Sequence, residues 1–408
     1  MAVVVLIGTL DTKGEEYACV QRVIEAHGCT TLVVDTGISP ASGCQADIGP
    51  DKVAAAGGAD IQSLRSANDR GKAMDVMARG AAETARDLYR AGKLDAVMAL
   101  GGSGGTSIAT AAMRALPIGV PKLMVSTVAA GDVSSYVGTS DIMMLYPVID
   151  IAGLNIISER VLTNAAVAVA AMAKAGAMAG LVKATRLVVA ITMFGVTTPA
   201  ATVARTWLED AGYEVLVFSA NGAGGRAMEA LMSDGVIQGV LDLTTTELAD
   251  ELVGGILSAG PNRLEAAGAL GLPQVVSLGA LDMVNFGAIG TVPEKFRDRR
   301  FYRHNPHVTL MRTTPEECSE LGAMLARKLN RAKGPVAVFV PLRGTSSISI
   351  EGGVFHDAEA DRALFAGLKD TLDPAVACVI NDAAINDKDF ALAMARELDR
   401  LMKKDAKK

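Results

Sequence analysis

Apolar residues run along this chain in short unbroken blocks, separated by longer stretches where they recur at helical spacing. Val3-Val4-Val5-Leu6-Ile7 is the first block, followed by a polar loop, Gly8 to Gly14, and a helical pattern from Glu15 to His27. A second block, Thr31 to Val34, ends at Asp35. A long polar, Gly-rich stretch from Thr36 to Gly71 predicts loop with one short helix near Lys52, and a longer helix follows from about Lys72 to Ala91. Further blocks run from Asp95 to Leu100 and from Lys122 to Ser126. An unbroken apolar block of strand length fits a strand buried on both faces. Strands alternating with helices predict parallel βαβ units. The fold class expected is α/β, with two Rossmann-like subdomains, mainly parallel sheets and a cleft between them.

The two-part division comes from a weak internal repeat. Leu187 to Thr198 echoes Val3 to Thr12 as strand then polar turn, and a helix from Pro199 to Ala211 and a strand from Glu214 to Phe218 complete the unit. Gly235 to Leu243 echoes Leu94 to Leu100, and Pro273 to Leu278 echoes Pro121 to Ser126. Extra strands are expected at Pro335 to Val340 and Val376 to Ile380, with a charged amphipathic helix from Asp387 to Lys403 at the end. The boundary is placed near Gly180 to Arg186, giving subdomains of residues 1–182 and 183–408.

Composition narrows the class. With 408 residues and half of them hydrophobic, the chain can bury two sizeable cores, and aromatics at 4% make those cores aliphatic. A formal charge of -6 with both signs interspersed argues against nucleic acid as a partner, since no basic stripe is present. Five scattered cysteines form no CxxC pair or metal spacing and fit a reducing cytoplasm. The start MAVVVLIGTLD is not a signal peptide, because it lacks a charged n-region. The Ala-rich stretch Asn164 to Val182 carries Lys174 and is expected to be a buried or interface helix rather than a membrane span, with homodimerisation as its role.

The strongest chemical signal is GGSGGT, Gly101 to Thr106, placed where a buried strand hands over to a helical stretch. Its glycines let the backbone approach a ligand, and a helix N-terminus offers free N–H groups to a phosphate or carboxylate. Ser103, Thr106 and Ser107 add hydroxyls. The segment is neither a P-loop nor a dinucleotide fingerprint. It loosely resembles the GGDGT loop of lipid and NAD kinases, but Ser103 replaces the aspartate. A tight strand-to-helix turn packed on a neighbour is the other reading.

Ligands of open α/β sheets bind outside the carboxyl ends of the strands. The other strand-end loops of the first half therefore join the candidate site. Thr9, Asp11, Thr12 and Lys13 supply hydroxyls, a carboxylate and an ammonium that could meet a phosphate. Asp35 stands where nucleotide folds meet a ribose hydroxyl, with helix capping or a turn as the alternative. Ser126, Thr127 and Asp132 close the fourth strand. Asp132 or Asp141 could reach Mg²⁺, and turn or N-cap chemistry is the alternative for each.

In the second half, Asp242, Thr244 to Glu247, Arg263, Ser277, Asp282, Asn285 and the segment His304 to Arg312 fall in polar or Gly-rich surroundings. The histidines of HNPH flank a proline, so they are not a helical metal pair. A small-molecule enzyme would use His304, Glu247 and Arg312 as catalytic groups, on a polar phosphorylated or carboxylated metabolite held between the halves. Arg343-Gly344-Thr345-Ser346-Ser347, with Glu351, His356 and Asp357 after it, reads as another anion-binding turn.

Together, Gly8 to Gly14, Gly101 to Thr106, Val125 to Thr127, Gly138 to Asp141 and Arg303 to Thr314 resemble the Tm-one-like ATP-binding family. This is the protein family related to the N-terminal domain of a plant tobamovirus-resistance protein, and the resemblance spans essentially the whole chain. It implies a two-subdomain α/β fold, ATP bound in the first subdomain, and dimers. The matching positions are Thr9, Asp11, Lys13 and Gly101 to Thr106. Mg²⁺ is implied by the triphosphate. The plant domain's binding of a viral replication protein is not carried over.

Overall fold

The structure, a computed structural model, describes residues 1–179 and 185–405. Of the expected boundary, 180–184 lie outside the described residues. The chain divides into two compact units, Met1–Lys183 and Ala184–Lys408.

The first unit runs β1 Val3–Gly8, α1 Leu10–Ala26, β2 Thr30–Asp35, α2 Pro50–Ala56, α3 Ile61–Ala67 and α4 Arg70–Arg90. It continues with β3 Ala96–Gly101, α5 Ser103–Arg114, β4 Lys122–Ser126, α6 Ser134–Val137, β5 Met143–Leu145 and α7 Ile156–Ala179. Its sheet is wholly parallel, in the order β2-β1-β3-β4-β5. Alternate residues of β1 feed opposite cores. Val5 and Ile7 pack beneath α2 to α5, while Val4 and Leu6 pack beneath α1 and α7. Burial on both faces is why the strand reads as unbroken apolar sequence. Helix α7 is the one helix among the described residues that is long and apolar enough to cross a membrane. Its Leu162, Ala166, Val169 and Ala173 lie in the second of these cores.

The second unit runs β6 Val188–Met193, α8 Thr198–Asp210, β7 Glu214–Ser219, α9 Ala223–Ser233, β8 Gly239–Thr244, α10 Glu247–Val253, α11 Ala266–Leu270 and β9 Gln274–Gly279. Then come β10 Met283–Phe286, β11 Phe301–Asn305, β12 Val308–Arg312, α12 Pro315–Leu329, β13 Val336–Pro341, α13 Ala358–Thr371, β14 Ala377–Asn381 and α14 Lys388–Asp405. The main sheet is parallel, in the order β14-β13-β9-β8-β6-β7. Read from the other edge, its first strands repeat the first unit: β7-β6-β8-β9 matches β2-β1-β3-β4. A separate antiparallel sheet, β10-β12-β11, is inserted after β9.

Three local readings change. The polar segment after β1 is not a loop before a helix: α1 begins at Leu10 and is kinked at Lys13, where φ is -131° and ψ 20°. The stretch from Thr36 to Gly71 holds α3 as well as α2. His304 and His307 belong to the β11–β12 hairpin, where His307 N–H donates to Asn305 Oδ1 at 2.8 Å.

In each unit the chain leaves its first strand to one side and returns on the other. The switch points lie between β1 and β3 and between β6 and β8, where a crevice opens in such sheets.

Candidate functional site

At the first switch point β1 and β3 diverge around one side chain. Their pairing ends at Leu6 and Met98. Beyond it the buried Tyr17 hydroxyl donates to Ile7 O at 2.6 Å and accepts from Leu100 N–H at 3.0 Å. The phenol occupies the place of a side chain on Gly8, whose Cβ would lie 1.9 Å from Tyr17 Oη. This fork sets the start of α1 and the glycine loop on two sides of a cavity of about 460 Å³. That volume lies within the range of small-molecule sites, roughly 300–1,000 Å³.

Thr9, Asp11, Thr12, Lys13 and Gly101 to Gly105 all line the cavity. Helix α5 has Gly102 as its N-cap, so no side chain caps its first N–H groups. Thr9, the N-cap of α1, makes no side-chain cap either; its hydroxyl lies 2.9 Å from that of Thr12. Two helix N-termini therefore meet the same space: that of α5 carries partial positive charge and no side-chain cap, whereas the first N–H of α1 is already taken by Asp35. Asp11 Oδ2 accepts from Ser39 N–H at 3.0 Å, and its Oδ1 is shielded from solvent without a hydrogen-bond partner. Lys13 lines the cavity, yet its ammonium donates to the Ile151 carbonyl, which it must release to meet a ligand.

Other expected site residues stand behind this wall. Asp35 is buried and its Oδ1 accepts from Leu10 N–H at 3.1 Å and Gly37 N–H at 2.8 Å. It holds the start of α1, the capping alternative rather than a ribose contact, and burial pushes its carboxyl up. Thr106 and Ser126 are buried with their hydroxyls 2.6 Å apart, and Thr106 also donates to Gly102 O at 2.8 Å. They tie the glycine loop to the end of β4. Thr127 lies beside Gly102, its Oγ1 3.7 Å from where a Cβ would stand. Asp132 is a turn residue: its carboxylate accepts from Ser134 N–H at 2.9 Å, which holds it below the usual carboxylate range. Asp141 pairs with the buried Lys122 at 2.6 Å.

Sequence reasoning missed part of the wall. Ile38, Ala73, Met74, Met77 and Ile108 make it apolar, and Arg70 brings a guanidinium. Arg70 Nη2 stands 3.6 Å from the Cβ position of Gly104. These α4 residues reach the glycine loop only because α4 packs against α5, so no local signal marks them.

The second switch point is filled by its own side chains. Thr192 Oγ1 donates to Asp242 Oδ1 at 2.8 Å, and the hydroxyls of Thr197 and Thr244 meet at 2.7 Å. Arg263, 1% exposed, grips Asp242 with two nitrogens at 2.6 and 2.7 Å and donates from Nε to Glu247 at 2.5 Å. The other oxygen of Glu247 accepts from Gly222 and Gly225 N–H at 2.6 and 3.1 Å. It serves as a resident anion at the start of α9.

His304, Glu247 and Arg312 are therefore not brought together as a catalytic group. Glu247 is committed to Arg263 and α9. Arg312 is buried, paired with Asp361 at 2.7 Å and donating to Phe355 O at 2.8 Å. His304 is exposed on β11, its ring 6.4 Å from that of Tyr302. The carboxylate and the guanidinium that looked catalytic in sequence hold the second unit together.

One consequence is a pH dependence. Buried Asp250 makes no ion pair among the described residues and accepts from Asn285 N–H at 3.0 Å and Asn285 Nδ2 at 2.6 Å. Burial pushes its carboxyl up to about 7; Glu247 adds to the rise and the Asn285 donors oppose it. An unfolded aspartate releases its proton near pH 4. Between about pH 4 and 7 the folded form thus holds a proton that the unfolded form has lost. Stability declines as pH rises through that window, on the order of 1 kcal/mol per unit. Glu229 and Asp361, each raised by burial to about 6, act with the same sign. Asp250→Asn is expected to shallow this slope in denaturant titrations followed by Trp207, the only tryptophan, on α8. An unchanged slope would remove Asp250 from the explanation.

Comparison with known proteins matches the same two blocks. Residues 2–178 match the N-terminal domain model, and residues 186–402 the C-terminal domain model, of the uncharacterised protein family UPF0261. A UPF0261 protein of Clostridium tetani is 51% identical over 402 residues, covering 98% of this chain and 99% of its own. One from Mesorhizobium japonicum is 45% identical, covering 97% and 98%. The ToMV resistance protein Tm-1(GCR237) of Solanum lycopersicum is 39% identical over 95% of this chain, which spans 54% of the tomato protein's length. Among solved structures, a UDP-GlcNAc 2-epimerase from Neisseria meningitidis aligns over 68% of this chain and 82% of its own, at 12% identity and a TM-score of 0.25. Both domain models and the near end-to-end match to the bacterial proteins place this chain in the UPF0261 family, with the tomato Tm-1 proteins among its relatives.

Proposed function

We propose that the first unit binds ATP in the cavity at its switch point. The observation that carries this reading is the pairing of unlike walls in one space. On one side stand the uncapped start of α5 and the first turn of α1. Beside them in the same lining stand apolar side chains that include Met74 and Met77. A nucleotide has the matching division, with a flat apolar base and a polyanionic end. The amides of Ser103 to Gly105 would take phosphate oxygens, and Arg70 would neutralise charge as a fork of donors. Lys13 would add a point charge once released from Ile151.

Mg²⁺ would enter with the triphosphate. Among the described residues no group of three or more metal-binding side chains exists. The unpartnered Oδ1 of Asp11 fits a cation held mostly by phosphate oxygens and water. Bound there, Mg²⁺ would offset phosphate charge. The protein's part is to hold, orient and partly desolvate the nucleotide. We also read the protein as a cytoplasmic homodimer. Its cysteines are unpaired, and Ile156 and Ile157 at the start of α7 face solvent.

Hydrogen exchange tests the site. Adding ATP with Mg²⁺ is expected to slow exchange of the amides from Asp11 to Lys13 and from Ser103 to Gly105. Arg70→Ala is expected to weaken binding roughly ten-fold, the loss of one charge-assisted contact. Protection confined to the second unit would contradict the assignment.

A further inference from the structure

The second unit has a cavity of its own, of about 650 Å³, beyond the carboxyl ends of β13 and β14. Its walls are tied in place. Gly344, with φ +130°, lets the loop after β13 fold back on itself; a Cβ there would lie 3.0 Å from Ile350 Cα. The buried Asp282 carboxylate accepts from Thr345 Oγ1 at 2.9 Å and Ser346 Oγ at 2.8 Å, fixing the Ser-rich turn. Arg343 grips Asp382 with two nitrogens at 2.7 and 2.6 Å, joining this loop to the one after β14. The cavity therefore exists before any ligand arrives, which lowers the ordering cost of binding.

Its acids are mostly committed and one arginine is not. Asp361 pairs with Arg312 at 2.7 Å, and Asp387 accepts from Ala384 N–H at 2.9 Å. Glu351 is the one lining acid without a partner among the described residues. Arg362 and His356 line the same space, and neither side chain makes an ion pair or hydrogen bond among the described residues. The start of α13 adds little, because Asp357 already caps it through Glu359 and Ala360 N–H. Beside these groups Leu342 and Ile350 are 43% and 39% exposed, and Phe365 also lines the wall. Apolar side chains facing water inside a concavity, next to an uncommitted guanidinium, match a small molecule with an apolar body and an anionic end.

We infer that this cavity is a second ligand site that takes a small organic carboxylate. Arg362 meets the carboxylate, and Leu342, Ile350 and Phe365 cover the apolar body. All its residues lie in the second unit, so the inference does not rest on the nucleotide reading.

The test uses 4-phenylbutyrate as probe, with 4-phenylbutanol and 4-phenylbutylamine as uncharged and cationic counterparts, followed by ligand-observed NMR on the full chain. Phenylbutyrate is expected to bind saturably in the millimolar range, the alcohol and amine far more weakly, and ATP not to displace it. Arg362→Ala is expected to weaken phenylbutyrate binding roughly ten-fold or more. Because Arg362 is exposed, its thermal midpoint should not move. Ile350→Ala provides a second variant that keeps the charge and loses apolar cover. Absence of saturable phenylbutyrate binding, equal binding by Arg362→Ala, equal binding of the alcohol, or displacement by ATP would each overturn the inference.

Discussion

Arg263→Leu is expected to unfold the second unit under conditions where the wild type is stable. The guanidinium is the sole cation facing Asp242 and Glu247 among the described ion pairs, and both carboxylates are at most 2% exposed. Removing it leaves two negative charges side by side in a desolvated space. Breaking a buried pair in this way costs about 3–5 kcal/mol, and a whole domain has only about 5–15 kcal/mol of stability. Glu247 would also lose the neighbour that keeps it aimed at Gly222 and Gly225, so the start of α9 would loosen. Trp207 packs against the core beneath α8 and α14, so its fluorescence reports this unit directly. The midpoint of its denaturant transition should fall steeply. A midpoint equal to wild type would mean the ion cluster contributes nothing. Replacing Asp242 and Glu247 by their amides together with Arg263→Leu should restore part of the loss, because the uncompensated charge rather than the missing side chain causes it.

Gly8→Ala should be nearly as damaging in the first unit, for a steric reason. A methyl at this position would stand 1.9 Å from Tyr17 Oη and 2.0 Å from Tyr17 Cζ, so the ring must move. Moving it strips Ile7 O and Leu100 N–H of their common partner at the fork between β1 and β3. Overpacking costs about 1–3 kcal/mol, and unpartnered buried polar groups add roughly 1–3 kcal/mol. Amides of β1 and β3 are expected to lose their protection against hydrogen exchange. Tyr17→Phe isolates the second part of the effect and should destabilise less. Wild-type protection in Gly8→Ala would show that the phenol does not set the fork.

Strands such as β1 and β3 were legible because they are buried on both faces, and so read as unbroken apolar sequence: VVVLI and AVMAL need no long-range information, whereas the short, partly exposed parallel strand β5 carries no such block and was missed. The glycine loop was legible for the same reason, since it follows such a strand directly. The start of α1 was not. LDTKG looks like a loop, but Gly14 is present because Ser42 O occupies the place of its Cβ, 1.4 Å away, and the helix runs through it. The β11 strand, FYRHN, lies at a sheet edge with most of its residues exposed, so no apolar alternation marks it. Arg70 and Met74 precede the glycine loop by some thirty residues, and only helix packing brings them to it. The charged residues of the second half misled for a physical reason. A switch point filled by a buried arginine and its carboxylates uses the same residue types as a catalytic site.

The most direct test of the nucleotide site is a calorimetric titration of ATP, with and without Mg²⁺, into the wild type and Gly104→Val. At this position the nearest atoms a Cβ would meet are Met74 Sδ at 3.4 Å and Arg70 Nη2 at 3.6 Å, the ends of flexible side chains, so the variant should fold. Its branched side chain would nevertheless occupy the space between the glycine loop and Arg70. Saturable binding by the wild type, one nucleotide per chain, and its loss in Gly104→Val is the result expected. A folded wild type that gives no binding heat, or a Gly104→Val variant that binds ATP as the wild type does, would contradict it.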